Sequence, residues 1–435
     1  AESAAVLNGL GVFKGYEEKD GTFSFQPKNA ITRAEVAAIV YRIYTGDVKD
    51  AYVKNYETYN KFGDMAGAGW AKGYIGYCAN AALVKGYPNG TFVPSGKVTG
   101  YEVLAMILRA VGYDQKNEFT GADWALHVAE IAERQGILDN VKGVDLNAPA
   151  TREVVAELLF QSINVPMVTY TAAFGYQNVG LNEKAENKLF AKNETLGIKN
   201  FKLDCVTGYV TANDTDAAFK NMQIAGKNLA KKDDTVKVAD QDIFDAGRYG
   251  HVWTSDGSAI TDVFYDDTLL STTYDGTSYK NLTDKDADEF VAKADKDARF
   301  FDNGYEQKAI SDVTVVRGTE LKLYTHTSDK TVDSVVALNQ SVAQLTADPS
   351  VKNDKVKIDT DTKRFDLTDK TASGYEELKE DDVALYVKMA DGVTYFELAK
   401  SVTGEKTKAY YDSSKTNVKE LDKWHIVFAD ETYYM

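Results

Sequence analysis

Arginine occupies the same place in two segments of this chain, directly after a threonine that opens a predicted helix. Arg33 follows Thr32, and Arg152 follows Thr151. A guanidinium is a planar, permanently charged fork of donors, and the free N–H groups in the first turn of a helix also favour an anion. The alternative is a surface arginine, which the helix macrodipole mildly disfavours at this end. We therefore interpret Arg33, and Arg152 at the matching position, as anion-binding candidates.

Aromatic and glycine residues accompany these arginines. Tyr16 and Tyr87 each follow a glycine, which is Gly86 in the second case. Trp70 and Trp124 stand near the start of two further predicted helices. A phenol or indole ring can stack on the apolar face of a sugar, and filling a helical core is the equally open alternative for the tryptophans. Gly86 is a turn residue first, and its lack of a side chain exposes the backbone to a ligand.

Two glutamates stand in the first turn of predicted helices. Glu35 lies three residues after Thr32. Glu102 stands in the same relation to Thr99. This spacing predicts a capping box, in which the threonine and the glutamate satisfy each other's backbone N–H groups. Capping accounts for both glutamates and is the favoured interpretation, and ligand binding is the second.

These residues belong to a unit that occurs three times in residues 1–165. Each copy has a glycine-containing turn, a proline and a threonine that opens an amphipathic helix. The turns and helix starts read Lys14-Gly15-Tyr16 with Ile31-Thr32-Arg33-Ala34-Glu35, Lys85-Gly86-Tyr87 with Val98-Thr99-Gly100-Tyr101-Glu102, and Gly136-Ile137-Leu138 with Ala150-Thr151-Arg152-Glu153-Val154. Copy two therefore lacks the arginine, and copy three lacks the glutamate. One copy cannot bury its apolar face alone, so we expect the three to pack together.

The combined pattern of Phe-x-Asp, Trp, Gly-Tyr-x-x-Gly-Thr-Phe-x-Pro and Ile-Thr-Arg-Ala-Glu resembles the S-layer homology (SLH) domain. The resemblance covers about residues 1–165, with copies at about 1–45, 62–112 and 119–165. It implies an all-α, three-repeat bundle with pseudo-threefold symmetry, export to a bacterial surface, and binding of a secondary cell-wall polysaccharide that often carries a pyruvate ketal. The polysaccharide-binding candidates are then Arg33, Arg152, Trp70, Trp124, Tyr16, Tyr87, Gly86, Glu35 and Glu102.

The rest of the chain has a different pattern. Residues 166–435 are rich in Thr, Val, Tyr, Asp and Lys, with alternation and Asp–Gly turns, which predicts mainly β structure. We expect two β-rich domains, at 166–290 and 291–435, with a helix-like acidic stretch at 284–298. Hairpins are predicted at about 251–263, 321–336 and 385–398. The fold class is therefore multidomain, an all-α SLH module followed by mainly-β domains.

Charge and motif content exclude several classes of protein. The 435 residues carry a net charge of -16, so nucleic acid and anionic lipid are disfavoured partners. The longest apolar runs are far shorter than the roughly 18 residues of a membrane span. Two cysteines and four scattered histidines form no disulfide scaffold or zinc motif. Gly-x-Ser-x-Gly, P-loop and Rossmann patterns are absent from the sequence, and 66 acidic residues give carboxylate pairs no specificity.

These observations predict a secreted structural protein of a bacterial surface layer rather than an enzyme. Residues 1–165 would hold the protein to the cell wall, and the β region would build an extended array by contact with further copies. No cofactor is expected, and structural calcium is compatible with the density of carboxylates. The alternatives are a wall-anchored carbohydrate-active enzyme, which a cleft with two facing carboxylates would favour, and an adhesin, which a lack of lattice formation would favour.

Overall fold

The computed structural model describes residues 2–17, 19, 23–59, 61–180, 194–211, 221–228, 234–239, 242–273, 294–309, 312–314, 319–328, 331–399, 406–411, 424–428 and 431–434. The helices of this part are α1 (Glu2–Gly9), α2 (Arg33–Thr45), α3 (Lys72–Asn80), α4 (Gly100–Val111), α5 (Trp124–Arg134), α6 (Arg152–Asn164) and α7 (Leu196–Phe201). The chain divides into two compact units, a first that reaches Thr268 and includes His326–Ser328, and a second made of the other described residues from Leu269 onward. Within these ranges, no helix combines the length and the apolarity that crossing a membrane requires.

Helices α2 and α4 begin at the predicted capping boxes. The hydroxyls of Thr32 and Thr99 accept hydrogen bonds from the backbone N–H groups three residues later, at 3.2 and 3.3 Å. In return, the Glu35 carboxylate accepts from the Thr32 N–H at 2.7 Å. The Glu102 carboxylate accepts from the Thr99 N–H at 2.9 Å. Both helices end at a glycine with a left-handed backbone, and the capping prediction is confirmed.

The segments in front of α2, α4 and α6 join in a closed ring of backbone hydrogen bonds. The Ile31 N–H donates to the Ala150 carbonyl at 3.2 Å, and the Ala150 N–H donates to the Val98 carbonyl at 2.8 Å. The Val98 N–H completes the ring at the Ile31 carbonyl, at 3.2 Å. The helices pack in the same cyclic order, α2 against α3, α4 against α5 and α6 against α1. Their apolar faces meet in one continuous core.

Strands precede α2 and follow α6 in the first unit. They are β1 (Tyr16–Glu17), β2 (Phe23–Ser24), β3 (Val168–Thr171), β4 (Gly175–Asn178), β5 (Leu203–Thr211), β6 (Asn221–Asn228), β7 (Asp234–Ala239), β8 (Tyr249–Ser255), β9 (Ser258–Ala259) and β10 (Phe264–Tyr265). The main sheet has the order β10-β8-β5-β6-β7, with β9 paired to β8. Leu203 of β5 is buried in the helical core together with Val168 of β3 and Leu196 of α7, so the helices and this sheet share apolar contacts.

A charged cluster joins α1 to strand β8. A Glu2 carboxylate oxygen lies 3.0 Å from His251 Nε2 and accepts from the Trp253 indole N–H at 2.6 Å. His251 Nδ1 lies 2.7 Å from an Asp266 carboxylate oxygen. The Trp253 ring packs edge-on against Phe160 of α6, with centroids 5.1 Å apart. The hydrogen bond with Glu2, followed by that with Asp266, raises the pKa of His251 to about 9, so an imidazolium lies between two carboxylates at neutral pH.

We expect the first unit to lose stability as the pH rises from 6.5 to about 9. A histidine whose pKa is raised on folding stabilises fully below its ordinary pKa, and this contribution is lost as the pH passes the folded value. The pKa of Glu2 is lowered, chiefly by the hydrogen bond with His251, so its contribution is present above pH 4.5 and declines in acid. The alkaline loss should be roughly 2–3 kcal/mol.

Denaturant unfolding across this pH range measures the effect. His251→Gln should flatten the alkaline decline, whereas His127→Gln, outside the cluster, should retain it. The same decline in the His251→Gln variant as in the unmodified chain would contradict the assignment.

The second unit consists of strands in several sheets. They are β11 (Thr268–Thr273), β12 (Ala294–Asp302), β13 (Tyr305–Gln307), β14 (Glu320–Thr325), β15 (Val332–Leu338), β16 (Ser341–Gln344), β17 (Ser350–Lys352), β18 (Lys355–Asp359), β19 (Arg364–Thr368), β20 (Ala372–Ser373), β21 (Val383–Lys388), β22 (Thr394–Leu398), β23 (Lys406–Tyr411), β24 (Trp424–Phe428) and β25 (Glu431–Tyr434). The sheet orders are β11-β14-β15-β12-β13, β16-β21-β22-β20, β17-β18-β19 and β23-β24-β25. Val356, Phe365 and Phe396 belong to the core that strands β18, β19 and β22 share.

The order of a helical region followed by β sheets is confirmed, and so are the three hairpins, which are β8–β9, β14–β15 and β21–β22. The helix predicted at 284–298 is wrong for residues 294–298, which lie in β12. This strand pairs in parallel with β15, more than thirty residues later, and such a distant partner overrides local preference. Residues 284–293 lie outside the described part. The two compact units do not test the predicted division into domains at 166–290 and 291–435, which stays a prediction.

Candidate binding groove

An open groove of about 480 Å³ lies between the turn 85–88, helix α4 and the segment 119–124. It brings together five of the nine predicted binding residues, namely Arg33, Gly86, Tyr87, Glu102 and Trp124. The other residues that line it are Lys85, Pro88, Ala105, Met106, Arg109, Phe119, Thr120 and Gly121. The groove therefore combines cationic and aromatic side chains with a short apolar stretch of α4.

Two features hold the turn at the edge of the groove. Gly86 has a φ of +58°, and a side chain there would begin 2.5 Å from the Phe62 ring and 2.7 Å from the Thr91 carbonyl. The carboxylate of Asp64 accepts hydrogen bonds from the backbone N–H groups of Phe92 and Val93, at 2.9 and 2.7 Å. Asp64 is the aspartate of the Phe-x-Asp pattern, so this part of the motif positions the turn.

Arg33 links copy one to copy two. Its side chain is buried, Nε donates to the Phe92 carbonyl at 2.8 Å, and Nη1 donates to Glu102 at 2.8 Å. The guanidinium carbon lies 4.5 Å from the Tyr87 ring centroid and 4.8 Å from that of Phe92. The alternative of a surface arginine is therefore wrong. Arg33 reaches the groove as a braced side chain, and its binding role stays a prediction.

Glu102 serves as a cap and as a groove residue at once. One carboxylate oxygen caps α4, and the other accepts from Arg33 and from the Tyr87 hydroxyl, the latter at 2.7 Å. Burial and this hydrogen bond raise the pKa of Tyr87, so the phenol stays a donor at neutral pH. Capping and a role in the groove are thus compatible in Glu102.

Two further cations were missed by the sequence analysis. Lys85 Nζ and Arg109 Nε lie 2.7 and 2.6 Å from the same oxygen of Asp114, a buried carboxylate behind the groove. Together with Arg33 and Glu102, the site holds three cations against two carboxylates, a positive balance in an acidic chain. A repeated spacing signals them, because lysine precedes Gly–Tyr in copies one and two and arginine follows each capping glutamate by seven residues.

Copy one repeats this arrangement with Arg152. The Arg152 side chain is buried, Nε donates to the Phe25 carbonyl at 2.7 Å, and Nη2 donates to the Lys14 carbonyl at 2.9 Å. Its guanidinium carbon lies 4.4 Å from the Tyr16 ring centroid, and the Tyr16 hydroxyl donates to Glu35. Arg152 of copy three therefore contacts copy one in the same way as Arg33 of copy one contacts copy two.

The two tryptophans differ in exposure. Trp70 is 62% exposed and meets Tyr74 edge-on at 5.7 Å, so the core-filling alternative is wrong for it. Trp124 is half-buried, lines the groove and packs partly against the helical core. Each leaves a ring surface beside a helix of the repeated unit.

The remaining interface, between copies two and three, lacks these features. Gly100 stands where the other copies carry arginine, and a side chain there would begin 2.6 Å from Leu146. The Thr151 hydroxyl is buried without a hydrogen-bond partner, and its helix has no capping glutamate. On α6, Glu157 instead accepts hydrogen bonds from Ser3 and from Asn140. Copy three therefore carries a carboxylate on α6, held between Ser3 of α1 and Asn140.

Among the residues that the structure describes, no group of three or more histidine, cysteine or acidic side chains is arranged to hold a metal ion.

Comparison with known proteins agrees with the sequence pattern. The S-layer homology domain model matches residues 1–37 and 61–104, within copies one and two. The Middle cell wall protein of Brevibacillus brevis is 27% identical over 251 residues, which are 48% of this chain and 23% of that protein. The Surface layer protein of Brevibacillus choshinensis is 32% identical over 108 residues, which are 25% of this chain and 9% of that protein.

A third relative aligns over more of the chain. The Cell surface protein of Thermoanaerobacter kivui is 26% identical over 330 residues, which are 74% of this chain and 39% of that protein. The chain thus spans less than half the length of each of these relatives. The similarity supports an extracellular, cell-wall-associated protein of the surface-layer type that carries S-layer homology sequence.

Proposed function

We propose that this chain is a structural surface-layer protein whose helical part anchors it to a secondary cell-wall polysaccharide. The groove beside α4 carries the proposal. A sugar with a pyruvate ketal offers a carboxylate to Lys85 and Arg109, since charge-assisted hydrogen bonds of this kind are strong. The apolar face of the sugar ring stacks on Tyr87 or Trp124. Arg33 contacts Tyr87 and Glu102 and holds both side chains in position.

We propose a module of three copies with pseudo-threefold symmetry and two working grooves. The closed ring at Ile31, Val98 and Ala150 supports the symmetry. The buried arginines of copies one and three support a groove at copy two and another at copy one. A third groove is not expected, because Gly100 stands in place of an arginine and the Glu157 carboxylate on α6 repels an anionic polymer. The nine residues named from the sequence remain the proposed binding set, with Lys85 and Arg109 added.

The rest of the chain has a structural role in this proposal, without catalysis. Residues 1–165 hold 16 basic and 19 acidic residues, whereas the remainder holds 34 and 47. Strongly acidic neighbours repel unless cations or complementary basic surfaces intervene. We therefore place the contacts of an extended array in residues 166–435 and expect them to respond to salt and divalent cations.

Lys85→Gln should weaken binding of purified pyruvylated wall polysaccharide by about 1.5–3 kcal/mol, the usual contribution of a hydrogen bond to a charged group. The fold should persist, because Arg109 still satisfies Asp114. Calorimetry measures the affinity. Lys28→Gln is the matched control, since that lysine side chain is 81% exposed and lies outside the groove. Equal affinity of the Lys85→Gln variant and the unmodified chain, or equal affinity for polymer stripped of pyruvate, would rule out this groove as the anion-binding site.

A further inference from the structure

A second cleft, of about 390 Å³, lies on the second unit between β19, β21 and β22. Its floor is aromatic and its rim is basic. The Lys363 ammonium lies 4.5 Å from the Phe365 ring centroid and 4.7 Å from that of Tyr386, and Lys388 lines the same space. Both lysines are exposed, and acidic side chains are absent from the described residues that line the cleft. In a chain with a net charge of -16, this cleft is a locally basic surface.

An ordered acidic loop lies in the same unit, directly before β21. The Lys379 N–H donates to Asp382 at 2.8 Å, and the Glu380 N–H donates to Asp348 at 2.8 Å, so the backbone of the loop is held. The exposed carboxylates of the loop are Glu376, Glu377, Glu380 and Asp381. The loop thus presents negative charge to solvent, whereas the cleft presents positive charge.

The loop and the cleft of one copy lie at opposite ends of β21. The loop leads into Val383, at the start of the strand, whereas Lys388 ends it and pairs with Thr394 beside the cleft. At about 3.3 Å per residue, Val383 lies roughly 10 Å from Tyr386 and roughly 17 Å from Lys388, the two residues of β21 that line the cleft. The loop of one copy therefore leaves the cleft of the same copy open.

We propose that the cleft takes the acidic loop 376–382 of a second copy of this chain. The two surfaces are different parts of one chain, so the contact is heterologous and repeats from copy to copy, as an extended array requires. Carboxylates of the loop meet Lys363 and Lys388, and the apolar parts of its side chains lie on Phe365 and Tyr386. This inference rests on the proposed assembly function and names its contact.

Charge reversal in the full chain tests the contact by sedimentation velocity. The cleft variant, Lys363→Glu with Lys388→Glu, and the loop variant, Glu376→Lys with Glu377→Lys and Glu380→Lys, should each weaken self-association on the order of 100-fold. Mixing the two variants should restore association, because every cleft then finds a loop of opposite charge. The control, Lys352→Glu with Lys355→Glu, reverses two exposed lysines of the β17–β18 hairpin and should associate like the unmodified chain.

Circular dichroism checks that each variant is folded. If the cleft variant with two glutamates does not fold, the variant Lys363→Gln with Lys388→Gln is used in its place. Unchanged association of the cleft variant, or no rescue on mixing, overturns the pairing of these two surfaces while the proposed assembly stands. An unmodified chain that stays monomeric at every concentration overturns the assembly function, and this contact with it. Binding of wall polysaccharide, measured in the same samples, reports on anchoring separately.

Discussion

Replacing Arg152 with alanine should lower the free energy of unfolding of the first unit by about 3–5 kcal/mol, the range seen when one partner of a buried charged network is removed. The side chain is 2% exposed and spans two copies of the repeated unit. Its loss leaves the carbonyls of Lys14 and Phe25 without their buried donor and removes the cation from three aromatic rings. Urea unfolding of the full chain, followed by tryptophan fluorescence, measures the change.

Lys28→Ala is the matched control for this prediction. Lys28 also connects copies one and three, through an ion pair with Glu153 at 2.7 Å, but its side chain is 81% exposed. An exposed pair of this kind contributes at most about 1 kcal/mol. A loss below that value for Arg152→Ala would show that Arg152 is not what holds copies one and three together.

Replacing Asp114 with asparagine should destabilise the first unit by about 3 kcal/mol and also weaken polysaccharide binding. The carboxylate accepts from Lys85, from Arg109 and from the Phe119 N–H, and its side chain is 1% exposed. A neutral amide leaves the two cations without a counter-charge and frees them from their positions beside the groove. Denaturant unfolding and calorimetry with the polymer measure the two effects.

The pH dependence of the unfolding free energy gives a second test of the role of Asp114. Burial by itself would raise the pKa of this carboxyl, but hydrogen bonds from Lys85 and Phe119 and the charge of Arg109 outweigh it and leave the pKa below 3.8. The stabilisation is therefore present above pH 3.8 and is lost as the pH falls through the folded pKa. The Asp114→Asn variant should not show this loss of stability as the pH falls. Asp139→Asn, at a side chain 64% exposed, should change neither stability nor binding.

Much of the fold follows from short-range patterns. The capping boxes at Thr32 and Thr99 connect residues three apart, and the confirmed hairpins join neighbouring segments. Such contacts depend on sequence that is present locally, so residue type and spacing are sufficient to predict them. The strand at 294–302 shows the limit, because its pairing with β15 uses a partner that no local pattern names.

For the candidate groove too, the sequence predicts some features and leaves others to the tertiary structure. The amino-acid sequence by itself determined which residue types stand at the helix starts and turns, and hence Arg33, Tyr87, Glu102 and Trp124 as candidates. Only the tertiary structure decided that Arg33 is braced by Phe92 and Glu102, which follow it by 59 and 69 residues. The physical reason is that burial and charge pairing depend on which distant segments the closed ring of hydrogen bonds brings together. A guanidinium at a helix start is otherwise equally compatible with exposure to solvent and with burial between two aromatic rings.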